Sequence, residues 1–69
     1  MSNDPVIGIV QESLPSTLFR VKLDSGQEVI CYLAGKMRVH NIKVLLGDRV
    51  AVILDPYRGK TSNRIVRRL

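Results

Sequence analysis

Short apolar segments separated by turn residues recur along this chain of 69 residues. Five of them have the length of single strands, and the series is interrupted once, between the third and the fourth. The segments are residues 6–10, 19–23, 27–33, 49–54 and 63–68. Five strands in so short a chain must curl and close to hide their edges. The pattern therefore predicts an all-β fold, a closed five-stranded barrel.

The second segment has the clearest strand pattern. Apolar and basic side chains alternate strictly through residues 19–23, which places Phe19, Val21 and Leu23 on one face, toward the core. Residues 24–26, Asp-Ser-Gly, then predict a hairpin turn, because glycine tolerates the positive φ that such turns require. In the last segment, Ile65 is expected to face the core.

The interruption falls between the third and fourth strands. Residues 34–41 lack a strand pattern and contain Gly35, so we expect a loop that holds one short helix. Residues 42–46 are apolar and ambiguous, and Gly47-Asp48 predicts a turn before the fourth strand. An insertion at this point is typical of the OB-fold barrel. A five-stranded barrel of the SH3 kind would serve the same core, and the number of strands leaves both folds open.

The size of the chain predicts a single domain over residues 1–69, with residues 1–5 flexible. Cys31 is the single cysteine, so an internal disulfide is excluded, which suits a reducing cytoplasm. The first residues lack the pattern of a signal peptide, and the apolar runs are too short to span a bilayer. We therefore expect a cytoplasmic monomer without a membrane partner.

The side chains that catalysis and metal binding need are scarce. His40 is the single histidine, and nothing in its spacing from Cys31 suggests a nucleophile and base pair. The carboxylates are scattered, metal ligands are few, and the glycines form no phosphate-binding motif. We expect no enzymatic activity, no cofactor and no metal.

Positive charge is concentrated in the second half of the chain. Residues 1–35 carry two basic and four acidic side chains, whereas residues 36–69 carry nine basic and two acidic ones. The net charge of the chain is +5. Like charges repel one another in a compact state, so a field of this kind favours a polyanionic partner, and nucleic acid is the commonest.

Hydrogen-bond donors and cations gather in three segments, residues 36–43, 58–64 and the terminal pair 67–68. Arginine and lysine bind phosphate oxygens without reading the bases. Phe19, Tyr32 and Tyr57 are the only aromatic residues, too few for a platform that stacks single-stranded bases, so structured RNA is the favoured ligand. The candidate RNA contacts are Arg20, Lys36, Met37, Arg38, His40, Lys43, Tyr57, Arg58, Lys60, Arg64 and Arg67.

A set of spaced residues resembles the family of bacterial translation initiation factor 1. The match extends over residues 6–67, and the run Gly-Lys-Met-Arg at 35–38, followed by Ile42 and Gly47-Asp48, is its most specific part. The remaining matches are Gly8, Glu12, Leu14-Pro15, Phe19-Arg20-Val21, Leu23, Gly26, Pro56-Tyr57 and Arg64-Ile65. The chain departs from the usual pattern at residues 31–34, Cys-Tyr-Leu-Ala in place of Ala-His-Ile-Ser, and in a more basic stretch at 58–63.

The resemblance implies an OB fold and a factor without catalytic activity. Members of this family bind the small ribosomal subunit at the decoding A site, contact ribosomal RNA and an adjacent ribosomal protein, and act with initiation factors two and three. By resemblance, Lys36, Met37 and Arg38 would face ribosomal RNA, while Tyr57 and Arg64 would flank the last loop. The alternatives are a general RNA chaperone of the cold-shock kind and a barrel adaptor that binds acidic protein surfaces.

Overall fold

Strands that alternate inward and outward side chains build the molecule. The computed structural model describes residues 4–40, 43–55 and 62–69. Their order is β1 (Val6–Leu14), β2 (Leu18–Leu23), β3 (Glu28–Leu33), α1 (Gly35–Val39), β4 (Arg49–Ile53) and β5 (Asn63–Arg68). A 3-10 turn over Pro15–Thr17 joins β1 to β2.

These strands form one closed barrel in the order β1-β2-β3-β5-β4, and β4 pairs with β1 to close it. Neighbouring strands are antiparallel except β3 and β5, which run parallel. This strand order, with a short helix between the third and fourth strands, is that of the OB fold rather than of an SH3-type barrel. The predicted fold class is therefore confirmed.

Apolar side chains, many of them β-branched, fill the interior of the barrel. Phe19, Val21 and Leu23 of β2 all point inward, as their alternation predicts, and Ile65 of β5 is fully buried. Val10, Val29, Cys31, Val50 and Val52 complete this layer from the other strands. Met37 of α1 packs against one end of it, so the insertion between β3 and β4 contributes to the core.

The first strand is longer than its apolar run. The pattern predicts a strand over residues 6–10 and a loop at Leu14-Pro15-Ser16, yet β1 continues to Leu14. The register with β2 shifts between Val10 and Glu12, which is a β-bulge that bends the strand and lets pairing resume as far as Leu14 opposite Leu18. Polar residues beyond the bulge are exposed, so no apolar alternation marks this extension in the sequence.

The predicted turns lie where expected among the described residues. Gly26 has φ +95° in the hairpin between β2 and β3, and Gly47 has φ +86° just before β4. Both values lie in the left-handed region that glycine adopts without strain. Of the ambiguous segment 42–46, residues 43–45 have no regular structure and Val44 packs against the core. The sequence also predicts a break after the fourth strand at residues 55–59; Asp55 has no regular structure, and residues 56–59 lie outside the described ranges.

A buried asparagine joins three parts of the barrel. Asn63 is 8% exposed, and its amide Nδ2 donates to the carbonyl oxygen of Ile30 at 3.2 Å. Its Oδ1 accepts from the backbone N–H of Asp55 at 3.0 Å. The asparagine thus links the start of β5 to β3 and to the residues that follow β4, and its polar atoms are satisfied.

Candidate nucleic-acid interface

The short helix α1 presents basic side chains to solvent around one buried residue. Lys36, Arg38 and His40 are exposed, whereas Met37 is 1% exposed and lies in the core. The backbone N–H of His40 donates to the carbonyl oxygen of Lys36 at 3.1 Å. Residues four apart on a helix share a face, so Lys36 and His40 point toward the same neighbour.

That neighbour is the end of β5. A surface cleft of about 350 Å³ lies between the two elements. Its lining residues are Lys36, Met37, His40, Val66, Arg67 and Arg68. Three basic side chains, one histidine and two apolar side chains thus line the cleft. We call this feature the basic cleft.

Neighbouring residues of a strand normally point to opposite faces. At the end of β5, Arg67 and Arg68 nevertheless both line the basic cleft. They follow an irregularity in the register between β4 and β5, at Ala51/Val52. The guanidinium Nη1 of Arg68 donates to the carbonyl oxygen of Lys43 at 3.2 Å, so Lys43 lies beside the cleft. The candidate contacts from the sequence included Arg67 and omitted Arg68, although both belong to the basic terminal pair 67–68.

Charge is divided between the two ends of the barrel. At one end β3 and β5 finish and β4 begins, and the described cations there are Lys36, Arg38, Lys43, Arg49, Arg67 and Arg68. At the other end β1 and β3 begin and β4 finishes, and the described carboxylates there are Asp4, Asp24, Glu28 and Asp55. Lys22 also lies near this acidic end, opposite Glu28. Asp48, in the turn before β4, lies at the basic end as well. Among the described residues, cations therefore predominate at one end of the barrel and carboxylates at the other.

Two candidate arginines lie on the barrel wall, away from the basic cleft. Arg20 forms an ion pair with Glu12, with 2.9 Å between Nη1 and Oε1. Arg64 is exposed and lies opposite Tyr32 of β3 and Ile53 of β4. The carboxylate of Glu12 therefore offsets the charge of Arg20.

The structure thus separates the predicted site into groups. Lys36, His40 and Arg67 come together in the cleft, and Arg38 is exposed on α1 without lining the cleft. Met37 lines the cleft but is only 1% exposed, because its side chain packs into the core beneath α1, so its contact with RNA stays a prediction. Tyr57, Arg58 and Lys60 lie outside the described residues.

Cys31 is unsuited to act as a nucleophile. Its side chain is 0% exposed inside the barrel, and burial raises the pKa of the thiol to about 12. Desolvation favours the neutral thiol, and the thiolate is the reactive form. Among the described residues, no group of three or more His, Cys, Asp or Glu side chains could hold a metal ion. No helix in the described ranges is long and apolar enough to cross a membrane.

A labelling experiment tests this burial. At pH 8, roughly four units below the folded pKa, only about one thiol in ten thousand is ionised, against a tenth or more in the unfolded chain. We expect a thiol reagent to modify Cys31 at least about a thousandfold more slowly in buffer than in denaturant. Equal rates in the two solutions would show that the thiol is accessible in the folded protein.

Comparison with known proteins agrees with this architecture. The chain matches the family model described as Translation initiation factor 1A / IF-1 over residues 2–69. It is similar to the solution structure of translation initiation factor 1 from the Wolbachia endosymbiont strain TRS of Brugia malayi, with a TM-score of 0.78 and 45% sequence identity. That match covers 94% of this chain and 76% of the other.

A second similar structure is longer. The crystal structure of YjeQ from Thermotoga maritima matches with a TM-score of 0.75 and 33% identity, and the match covers 94% of this chain but only 22% of YjeQ. The barrel therefore also occurs as a small part of a larger protein. The family match over nearly the whole sequence, together with the similarity to a solved initiation factor, shows that this protein belongs to the bacterial translation initiation factor 1 family.

Proposed function

We propose that this initiation factor binds the small ribosomal subunit at the decoding A site and occupies it during initiation. It contacts ribosomal RNA there, together with an adjacent ribosomal protein, and acts with initiation factors two and three. It works by occupancy, without catalysis, as a cytoplasmic monomer. Membership of the initiation factor family supports the general role, and the basic cleft supports the mode of binding.

The observation that carries the proposal is the gathering of cations from two distant parts of the sequence. Lys36 of α1 and the Arg67-Arg68 pair of β5 meet around one cleft, with His40 beside them. Arginine presents a planar fork that fits phosphate oxygens, and lysine supplies a mobile point charge. RNA phosphates are ligands that such side chains bind well.

The described aromatic residues favour folded RNA over single strands. Phe19 is 9% exposed and belongs to the core. Tyr32 is half-buried on the barrel wall, between Leu18 and Arg64. Single-strand binders of this fold use several exposed rings, each worth about 1–3 kcal/mol. One half-buried ring gives little of this energy, so the shape of the RNA and its phosphates provide the recognition.

The polar charge distribution supports a steering mechanism. The basic end is attracted to the phosphates of ribosomal RNA, so the barrel approaches with the basic cleft leading. Contacts to phosphates then hold the factor in place. The affinity gained in this way falls as salt rises, because binding releases the counterions of the RNA.

A competition experiment tests the proposed place of binding. Fluorescently labelled protein is bound to purified small subunits, and an anticodon stem-loop directed to the A site by its codon is added. We expect the stem-loop to displace the protein, because both require the same site. Simultaneous binding of the two would contradict the proposal, and unchanged binding in the presence of a stem-loop held at the P site is the control.

The same assay examines the chaperone alternative. A general RNA chaperone of the cold-shock kind would bind unstructured oligonucleotides as tightly as small subunits. We expect an unstructured oligonucleotide to bind at least about tenfold more weakly, because the described aromatic rings form no stacking platform. Equal affinities would favour the chaperone instead.

A further inference from the structure

The exposed apolar side chains are concentrated in one region. Among the described residues, five large apolar side chains are exposed, and one of them, Val39, lies on α1. The other four are Ile9, Leu45, Leu46 and Leu69, with exposures of 38%, 63%, 64% and 53%. We call these four the leucine patch, since their backbones meet around the start of β4.

Strand pairing aligns two members of the patch. Ile9 of β1 lies opposite Arg49 of β4, and the backbone N–H of Leu69 donates to the carbonyl oxygen of Arg49 at 2.8 Å. Residues directly opposite one another share a face of a sheet. Gly8 and Val10 on either side of Ile9 are buried, so the row that Ile9 begins faces outward.

The other two members are carried by a fixed turn. The N–H of Leu45 donates to Oδ2 of Asp48 at 2.9 Å, and the N–H of Asp48 donates to the carbonyl oxygen of Leu45 at 3.1 Å. Gly47 donates to the carbonyl oxygen of Val10 at 2.9 Å, which anchors the turn to β1. Hydrogen bonds therefore fix the turn in a position where the side chains of Leu45 and Leu46 are exposed to solvent.

Positive charges border this apolar surface. Arg49 stands opposite Ile9, in the same outward-facing row. Lys43 precedes the turn. The guanidinium of Arg68 donates a hydrogen bond to the carbonyl oxygen of Lys43, so Arg68 also lies beside the turn. The one carboxylate of the turn, that of Asp48, accepts from Leu45. The patch thus has an apolar centre and a basic rim.

The chemistry of the patch suits a protein better than RNA. Leucine and isoleucine have no donors for phosphate and no aromatic face for a base, so they make neither of the contacts through which proteins usually hold RNA. Protein interfaces combine an apolar centre with a polar rim whose charges complement the partner. A second copy of this chain would bring one basic rim against another, which is repulsive.

We propose that the leucine patch docks a second protein whose surface has an apolar depression with an acidic border. The inference rests on the proposed function for its setting, the small subunit with initiation factors two and three bound. Arg68 lies at both the rim of the patch and the basic cleft, so the bound RNA and the docked protein would be neighbours.

A photo-crosslink at the patch identifies the occupant. Leu46 is replaced by benzoylphenylalanine, and the protein is irradiated in complex with small subunits and initiation factors two and three. We expect a crosslink to a protein segment rich in Asp and Glu. A crosslink to RNA, to a basic segment or to a second copy of this chain would overturn the proposal, and so would none at all.

A variant measures the contribution of the patch. The double variant Leu45→Ser, Leu46→Ser removes two exposed side chains, so the fold is retained, and Val39→Ser is the matched control on α1. We expect the double variant to lose about tenfold in affinity for the complete assembly, because an apolar centre contributes most of the energy of an interface. Equal affinity of the double variant and the control would contradict the docking role.

The two proposals can fail separately. Crosslinking is repeated with initiation factors two and three in solution, without subunits. If the protein does not bind small subunits at all, the proposed function is wrong, and the patch is still judged by this second reaction. If subunits are bound without any crosslink from position 46 in either reaction, the docking proposal alone is wrong.

Discussion

Replacing Gly8 with alanine is expected to cost about 3 kcal/mol of unfolding free energy, the upper part of the range for overpacked cores. A Cβ atom at Gly8 would lie 2.5 Å from Cγ1 of Val21, 2.9 Å from the carbonyl oxygen of Lys22 and 3.1 Å from Cδ2 of Leu23. Val21 is 0% exposed, so any movement of its side chain would disturb the packed core. The Lys22 oxygen belongs to the backbone of β2, so relief would require β1 and β2 to separate.

The loss is large for a chain of this size. A domain of 69 residues has about 3–10 kcal/mol of total stability. With a urea m-value of about 1 kcal/mol/M, the midpoint of unfolding should fall by about 3 M. Gly35→Ala is the matched control, because a Cβ there meets nothing within 4 Å. The control should be neutral or slightly stabilising, since alanine has less conformational freedom to lose. Equal midpoints for the two variants would show that β1 and β2 are not so closely packed.

The second large effect concerns the basic cleft. The double variant Lys36→Ala, Arg67→Ala should bind small subunits on the order of 100-fold more weakly than the natural protein at about 0.1 M salt. Each side chain is exposed and lines the cleft from a different element. A charge-assisted contact to phosphate contributes about 1.5–3 kcal/mol, and tenfold in affinity corresponds to about 1.4 kcal/mol.

A matched variant separates the position of the charge from its amount. Lys22→Ala also removes a cation from an exposed site, but Lys22 lies near the acidic end, opposite Glu28. We expect it to change subunit affinity by no more than about twofold. Circular dichroism and urea unfolding should show the same fold for all of these variants. If the lysine near the acidic end mattered as much as the cleft pair, overall charge rather than the cleft would determine binding.

Much of the fold can be predicted from local sequence patterns. Strict alternation at residues 19–23 identifies the inward face of β2, and Gly26 and Gly47 stand at turns with positive φ. Features that depend on distant partners escape such patterns. The extension of β1 to Leu14 requires a bulge, and the role of Asn63 depends on bonds to Ile30 and to Asp55. Nothing in the residues next to Asn63 marks it as a buried polar link.

The candidate site follows the same rule. The abundance of cations in the second half of the chain is evident from the sequence, but the meeting of α1 with the end of β5 results from the parallel pairing of β3 with β5. Met37 stands between two basic residues in the sequence, but the geometry of α1 directs its side chain toward the core. The charge of Arg20 is offset by Glu12, which lies on the neighbouring strand, and only the register of β1 and β2 reveals the pair.

The salt dependence of small-subunit binding tests most directly whether the basic cleft holds RNA phosphates. If about four to six phosphates are neutralised, the plot of log affinity against log salt concentration should have a slope of roughly −3 to −5. The variant lacking Lys36 and Arg67 should have a slope shallower by about 2, one for each lost contact, while Lys22→Ala should keep the original slope. A flat dependence for the natural protein, or identical slopes for all three, would contradict RNA binding through the cleft.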